Sequence, residues 1–357
     1  MSELRKDPFT TRWSIIATER QKRPHDFRRA PHTRSGGNCP FCWGNEHLTP
    51  PEVLAYRESR AGRNTPGWSV RVFPNKFPAL DPGLPRAEKT DGPLVSMAGS
   101  GYHEVLVETP EHHASIPTYS TEQLSLALQA MGERLQALKQ TGSIAYVQVF
   151  KNEGAVAGAS LEHPHFQIVG LPLVPAAIAE ELEVARAYHQ STGGCLHCAV
   201  LEHERLRRAR VVEESPGFVC HCPFASRFPY EMSIHPQRHS PDFLDTDRDE
   251  LEELAGALIR AVGRLEGAFP EPDYNMVLHT APFGEAHPYY HWHLEILPRL
   301  TVTAGFEWGT GLFINPTAPE TASEELRAVT GPWAAVPGPD TPGSTRAIPE
   351  GRRNHSS

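Results

Sequence analysis

The sequence contains no run of 18 apolar residues, which excludes a membrane-spanning helix. Its start, MSELRKDPFT, lacks the apolar stretch that a secretory signal needs, so a cytoplasmic protein is expected. Basic charge is also short. The 34 Lys and Arg face 43 Asp and Glu, and a net of −9 argues against a general nucleic-acid binder. Cysteine is sparse, with six in 357 residues, and falls in pairs: Cys39/Cys42, Cys195/Cys198 and Cys220/Cys222. In a chain expected to stay in a reducing compartment, the two C-x-x-C pairs point to metal or redox sites before disulfides.

Histidine, by contrast, is abundant, at 19 residues. The positive charge that is present is concentrated: residues 1–34 hold nine Lys and Arg against four acids, a local balance suited to a small anionic ligand. Hydrophobic residues at 39% suffice for a sizeable core.

An internal repeat organises the chain. CPFC (39–42) returns as CLHC (195–198), and WSVRVFPNKFP (68–78) as FVCHCPFASRFP (218–229). EVLVETPEHH (104–113) returns as EMSIHPQRHS (231–240), and YVQVFKNEGA (146–155) as YNMVLHTAPF (274–283). HPHFQIVGLP (163–172) returns as HWHLEILPRL (291–300). The order is kept, and from residue 104 the offset stays between 125 and 128. Two copies of one α+β unit are expected, over 1–175 and 176–330, each an antiparallel sheet with one long helix. Leu124, Leu128, Met131, Leu135 and Leu138 follow helical spacing, as do Leu251, Leu254, Leu258, Val262 and Leu265. A linker helix is expected over 176–190. Residues 331–357 carry five Pro and four Gly without apolar periodicity and are expected to form a disordered tail.

Structural zinc wants four soft or borderline ligands at tetrahedral corners. Copy one offers Cys39, Cys42, His112 or His113, and His163; copy two offers Cys195, Cys198, His239 and His291. The same donor set at the same repeat positions predicts two zinc ions per chain. A thioredoxin-like role is disfavoured, because neither C-x-x-C opens a helix after a βαβ-type strand. Cys220 and Cys222 fall on an expected strand and are read as strand residues.

His163, His165 and Gln167 alternate on one face of a strand. With His163 tied to metal, His165 is presented at a fixed place, and a neutral imidazole is a good nucleophile toward phosphorus. Gln167 can donate to a phosphate oxygen without adding negative charge. The preceding NEGAVAGAS loop lets backbone N–H groups approach a phosphate, and Ser160 adds a hydroxyl. Copy two keeps His291 and His293 but has Glu295 in place of Gln167, and its loop lacks the Gly-Ala-Ser run. One active copy is expected.

These residues resemble the galactose-1-phosphate uridylyltransferase branch of the histidine-triad superfamily over about residues 5–330. The resemblance rests on Arg20-Gln21-Lys22-Arg23-Pro24, CPFC, PNKFPAL (74–80), NEGAVAGASLEHPHFQ (152–167), HTAPFGEAHPYYHWHLEILPR (279–299) and GFEWGTGLFINP (305–316). It implies tandem histidine-triad-like repeats and a His165 that becomes uridylylated, with Gln167 and Ser160 on the transferred phosphate. It also implies Asn75, Phe77 and Asn152 at the nucleotide, Arg20 and Arg23 at the sugar phosphate, and Glu307 on sugar hydroxyls. It makes Cys39, Cys42, His112 and His163 the zinc ligands. Some members hold a second metal with one Glu and three His, matched here by Glu181, His279, His291 and His293; the Cys195/Cys198 pair fits a second zinc better. The implied reaction exchanges UMP between UDP-glucose and galactose-1-phosphate, in a protein that, like the family, forms homodimers. The alternatives are an ADP-glucose phosphorylase, whose group shares the GTG…INP ending, and a non-enzymatic tandem zinc module.

Overall fold

The computed structural model describes residues 2–22, 39–57 and 61–335. The first copy runs β1 (Glu3–Lys6), β2 (Trp13–Ile16), β3 (Leu54–Arg57), β4 (Trp68–Pro74), β5 (Glu88–Asp91), β6 (Leu94–Met97), β7 (Tyr102–Val107), α1 (Thr121–Gln140), β8 (Tyr146–Glu153) and β9 (His165–Leu171). Two helices follow, α2 (Ala176–Thr192) and α3 (Leu196–Arg207). The second copy continues with β10 (Val211–Glu214), β11 (Phe218–His221), β12 (Met232–Pro236), α4 (Arg248–Ala268), β13 (Tyr274–His279) and β14 (His293–Pro298). The chain closes with α5 (Gly305–Thr310), β15 (Phe313–Asn315) and α6 (Pro319–Ala328).

Ten strands form one sheet in the order β10-β11-β12-β14-β13-β8-β9-β7-β4-β3. Read outward from its centre, each half repeats the other: β8-β9-β7-β4-β3 on one side, β13-β14-β12-β11-β10 on the other. The two copies therefore meet edge to edge through the antiparallel pair β8–β13, with Asn152 opposite Asn275 and Glu153 opposite Tyr274. This pairing leaves neither central strand as an exposed edge.

The two long helices lie where the apolar periodicity puts them. Ser120 caps α1 by accepting from Gln123 N–H, and Asp247 with Glu250 forms a capping box on α4. Leu124, Leu128, Met131, Leu135 and Leu138 are buried to 1% exposure or less, and they share one core with Leu254, Leu258, Val262 and Leu265 of α4. At about 2 kcal/mol per fully buried aliphatic side chain, this seam is a major source of the fold's stability. Phe166 of HPHFQ belongs to the same core, on the face of the sheet away from His165.

β15 pairs parallel with β2 in a second, three-stranded sheet, so the C-terminal region clasps the N-terminal one. Arg5 adds an ion pair to Glu320 at 2.9 Å. Within the segment expected to be disordered, Pro332–Ala335 form a 3-10 turn, and Trp333 packs on α4 so closely that a Cβ on Gly263 would lie 2.4 Å from its ring. Residues 336–357 lie outside the described residues, as does Arg23. No helix among the described residues is long and apolar enough to cross a membrane.

Candidate active site and metal centres

The turn 39–42 is closed by Cys42 N–H donating to Cys39 O (3.3 Å), with Phe41 N–H reaching the Cys39 sulfur (3.4 Å). It sets both thiols toward the end of β7 and the start of β9. His163 Nδ1 lies 3.7 Å from Cys39 Sγ and 3.6 Å from Cys42 Sγ, and His112 Nδ1 lies 3.3 Å from Cys42 Sγ. His112, and not its neighbour His113, completes the set. In the second copy, His291 Nδ1 is 3.8 Å from Cys195 Sγ and 3.5 Å from Cys198 Sγ, and His239 Nδ1 is 3.6 Å from Cys198 Sγ. A tetrahedral zinc with ordinary Zn–S and Zn–N bonds places S and N about 3.5 Å apart, so both donor sets fit it. The far ring nitrogens of three of these histidines are engaged as zinc histidines require. His163 Nε2–H donates to Thr109 O (2.8 Å), His291 Nε2–H to Pro236 O (2.9 Å), and His239 Nε2–H to Pro288 O (2.9 Å). Cys195 is the N-cap of α3, a helix not foreseen from sequence; the element before it is α2, not a strand. Cys220 lies on β11 and Cys222 just beyond it, both buried and outside the metal sets.

Two residues beyond His163, the His165 ring is buried at 6% exposure. Its Nδ1 lies 2.8 Å from His163 O. A carbonyl only accepts, so Nδ1 carries the hydrogen and Nε2 keeps its lone pair. Burial pushes the imidazole down to about 4, which leaves it uncharged at neutral pH. Phe41 packs its ring edgewise against it at 5.2 Å.

Gln167 is oriented by a residue that sequence reasoning missed. Ala79 N–H donates to His103 Nδ1 (3.1 Å), which fixes the hydrogen on Nε2. His103 Nε2–H then donates to Gln167 Oε1 (2.8 Å), making the NH₂ end of Gln167 its outward donor. The same turn holds Asn75, whose Oδ1 accepts Phe77 N–H (2.9 Å), while Phe77 stands 83% exposed. Strand pairing brings this about: His103 on β7 lies two positions from the partner of Gln167, Val105.

The loop between β8 and β9 is tied down from the second copy. Asn275 Nδ2 donates to Asn152 Oδ1 and to Ala157 O, each at 2.8 Å. Asp273 accepts Val156 N–H (3.1 Å), and Gly154, at φ +81°, passes so close that a Cβ would lie 1.9 Å from Asp273 Oδ1. Only glycine fits there. Asn152, Gly154, Ala159, Ser160 and His163 line one cleft over this loop, whose wall also carries Glu153, Glu162, Glu266 and Glu271. No local signal marked Asn275 or Asp273, because their role depends on the seam between copies.

Arg20 sits in the 3-10 turn Thr18–Lys22, with its N–H bonded to Ala17 O. Glu307 lies on α5 and accepts its own N-cap N–H, that of Ala304, at 3.0 Å. Neither is brought against His165 by a bond among the described residues.

The second copy's counterpart of this site is closed. Glu295 bonds Arg227 (2.8 Å) and His279 (3.2 Å). Burial would raise its carboxyl, but Arg227 and His279 outweigh burial and hold it well below the carboxylate range. His279 is clamped on its other nitrogen by Glu181 (3.2 Å), which also takes the Tyr290 hydroxyl (2.9 Å). His291 faces the thiols and stands apart, but the other three residues of the set Glu181, His279, His291 and His293 do bring ligand atoms within 4.8 Å of one another.

A mirrored antiparallel sheet, a paired Cys/Cys/His/His set in each half and one neutral histidine beside a glycine loop define the duplicated nucleotidyltransferases of the histidine-triad type. Comparison with known proteins names the family. The N-terminal domain of galactose-1-phosphate uridyl transferase matches residues 1–175, and a domain of unknown function, DUF4921, matches 108–330. ADP-glucose phosphorylase of Arabidopsis thaliana is 36% identical over 92% of this chain and 93% of its own length. Galactose-1-phosphate uridylyltransferase of Thermotoga maritima is 32% identical over 92% and 98%. The crystal structure of the Arabidopsis ADP-glucose phosphorylase with bound ADP-glucose superposes with a TM-score of 0.79 at 35% identity, covering 92% of this chain and all of that one. A uridylyltransferase structure gives 0.72 at 31%, covering 92% and 98%. The chain belongs to the galactose-1-phosphate uridylyltransferase family, and is an enzyme of that family rather than a non-enzymatic zinc module.

Proposed function

We propose that the chain transfers a nucleotidyl group from a nucleotide-diphosphate sugar to a phosphate acceptor by way of His165. The observation that carries this reading is the Nδ1–H bond to His163 O, which leaves Nε2 unprotonated. Nε2 attacks the phosphorus next to the nucleoside, the P–O bond to the sugar phosphate breaks, and sugar-1-phosphate departs. The acceptor's phosphate oxygen then attacks the same phosphorus, and the P–N bond breaks to return His165. Gln167 and Ser160 neutralise charge on the phosphoryl oxygens, with whichever N–H groups of the 154–160 loop are not already given to Asp273, Ala155 and Gly154. Asn75, Phe77 and Asn152 hold the nucleotide, and Arg20, Arg23 and Glu307 the sugar-phosphate end. Zinc on Cys39, Cys42, His112 and His163 would anchor the start of β9, and so the position of His165; zinc on Cys195, Cys198, His239 and His291 would do the same for β14. Residues 1–175 are thus the catalytic copy, and 176–330 the copy that buttresses its loop.

Two donor–acceptor pairs suit this chemistry. UMP exchange between UDP-glucose and galactose-1-phosphate is supported by the Thermotoga relative. Adenylyl transfer from ADP-glucose to inorganic phosphate is supported by the Arabidopsis relative, and the higher identity and TM-score favour it. Mass spectrometry of the protein after incubation with UDP-glucose or ADP-glucose tests both readings. A uridylyl or adenylyl group on His165 identifies the donor; no adduct with either, in protein that turns over neither, overturns the proposal.

A further inference from the structure

The second copy contains a histidine group for which the transfer reaction has no use. His197, His235 and His293 are buried at 1%, 0% and 4% exposure, and one ring nitrogen from each lies within 4.8 Å of the others. Their ring centroids are 5.1, 5.5 and 5.0 Å apart. The histidine pairs of the two Cys₂His₂ sets are spaced at 5.3 and 5.4 Å. The three imidazoles are therefore as far apart as imidazoles placed to share one ion.

The repeat shows what this cluster replaced. CPFC and CLHC align Phe41 with His197, and HPH and HWH align His165 with His293. The sheet sets Leu106 opposite Phe166 and Ile234 opposite Leu294, one residue out of step with the repeat as aligned by sequence, so in the structure the next residues, Val107 and His235, correspond. The positions coincide in space as well: Phe41 lies 5.2 Å from His165, and His197 lies 5.1 Å from His293. Copy one fills two of the three positions with apolar side chains. Copy two buries imidazoles there, and Nδ1 of both His197 and His235 is left without a protein partner. Leaving a buried polar atom unsatisfied is destabilising, and a bound cation on the lone pair offsets that cost.

The rings are also held as ligands are. His293 Nδ1–H donates to His291 O (3.2 Å), and Ser233 Oγ lies 2.8 Å from His235 Nε2, each leaving the opposite nitrogen for a ligand. Phe9 lies flat on His197, with centroids 3.9 Å apart, and covers the cluster. His293 is also near His279 and Glu181, but both nitrogens of His279 are already in hydrogen-bonding contact with carboxylates, Glu181 and Glu295, each at 3.2 Å, whereas Nδ1 of His197 and of His235 has no such partner.

We propose that His197, His235 and His293 form a third metal site, apart from the two Cys₂His₂ sets, that binds a borderline divalent ion such as zinc(II). With three imidazoles and no carboxylate it does not suit calcium or magnesium. The test is elemental analysis of the full chain, purified without chelator, exposed to zinc and desalted. His197→Phe and His235→Val, which restore the residues of copy one, are expected to carry one ion fewer than wild type. Glu181→Gln is expected to carry the wild-type number, about three per chain. Either restoring variant suffices if the other does not fold. The proposal is overturned if wild type binds no more than the two Cys₂His₂ ions, if the folded restoring variants keep the full number, or if Glu181→Gln loses the ion.

Discussion

Replacing Gln167 by Glu tests the site at the point where the two copies diverge. The substitution keeps size and shape, and His103 Nε2–H can still donate to one carboxylate oxygen, as it does to Gln167 Oε1 at 2.8 Å. The other oxygen then faces the phosphate with no hydrogen to give. Losing one donor of this kind costs about 3–4 kcal/mol in the transition state. A carboxylate about 4 Å from a phosphoryl oxygen adds about 4 kcal/mol of repulsion at an effective dielectric constant near 20. Copy two tolerates Glu295 because Arg227 neutralises it at 2.8 Å. The repeat partner of Arg227 is Lys76, which is exposed and bonded to Leu48 O (3.2 Å), and so gives no such relief. The expected loss in the rate of His165 nucleotidylation is therefore at least about 10³-fold, against about 10²- to 10³-fold for Gln167→Ala. Single-turnover kinetics with ADP-glucose and UDP-glucose, followed by mass of the protein, would measure it. A Gln167→Glu enzyme within tenfold of wild type, or one faster than Gln167→Ala, would refute the reasoning. His293→Ala should slow transfer less than Gln167→Glu; the reverse order would mean that copy two shares in catalysis.

Further outcomes are expected. His165→Ala should fold, as judged by circular dichroism, yet form no nucleotidyl adduct. His103→Ala should lower kcat about five- to thirty-fold by freeing Gln167, with protein melting little changed. Gly154→Ala should lose about 3 kcal/mol of stability, from left-handed backbone strain plus displacement of Asp273, and thermal unfolding would read it. Stripping metal with a chelator should lower the melting temperature sharply, because each Cys₂His₂ set ties segments about 100 residues apart or more, from Cys39 to His163 and from Cys195 to His291; an unchanged melting curve after verified zinc loss would count against both sets.

Much of the molecule is set by short-range pattern. The apolar period of 121–140 and 248–265 determined two buried helix faces, because a helix's buried side depends only on spacing along itself. The Cys/Cys/His/His sets were legible because duplication wrote the same donors twice at a steady offset. Register between strands far apart in the chain decided the rest. Only the sheet showed that β13 runs beside β8, and so that Asn275 and Asp273 of one copy hold the glycine loop of the other. Only strand pairing put His103 against Gln167, and only the turn after β7 chose His112 over His113. The acidic Glu295 looked like a simple exclusion of phosphate; its partners Arg227 and His279, drawn from two other segments, make it the centre of a closed ion cluster. A sequence lists which groups are available, but a hydrogen bond or ion pair requires a distance of about 3 Å, and that is set by packing across elements the chain order does not connect.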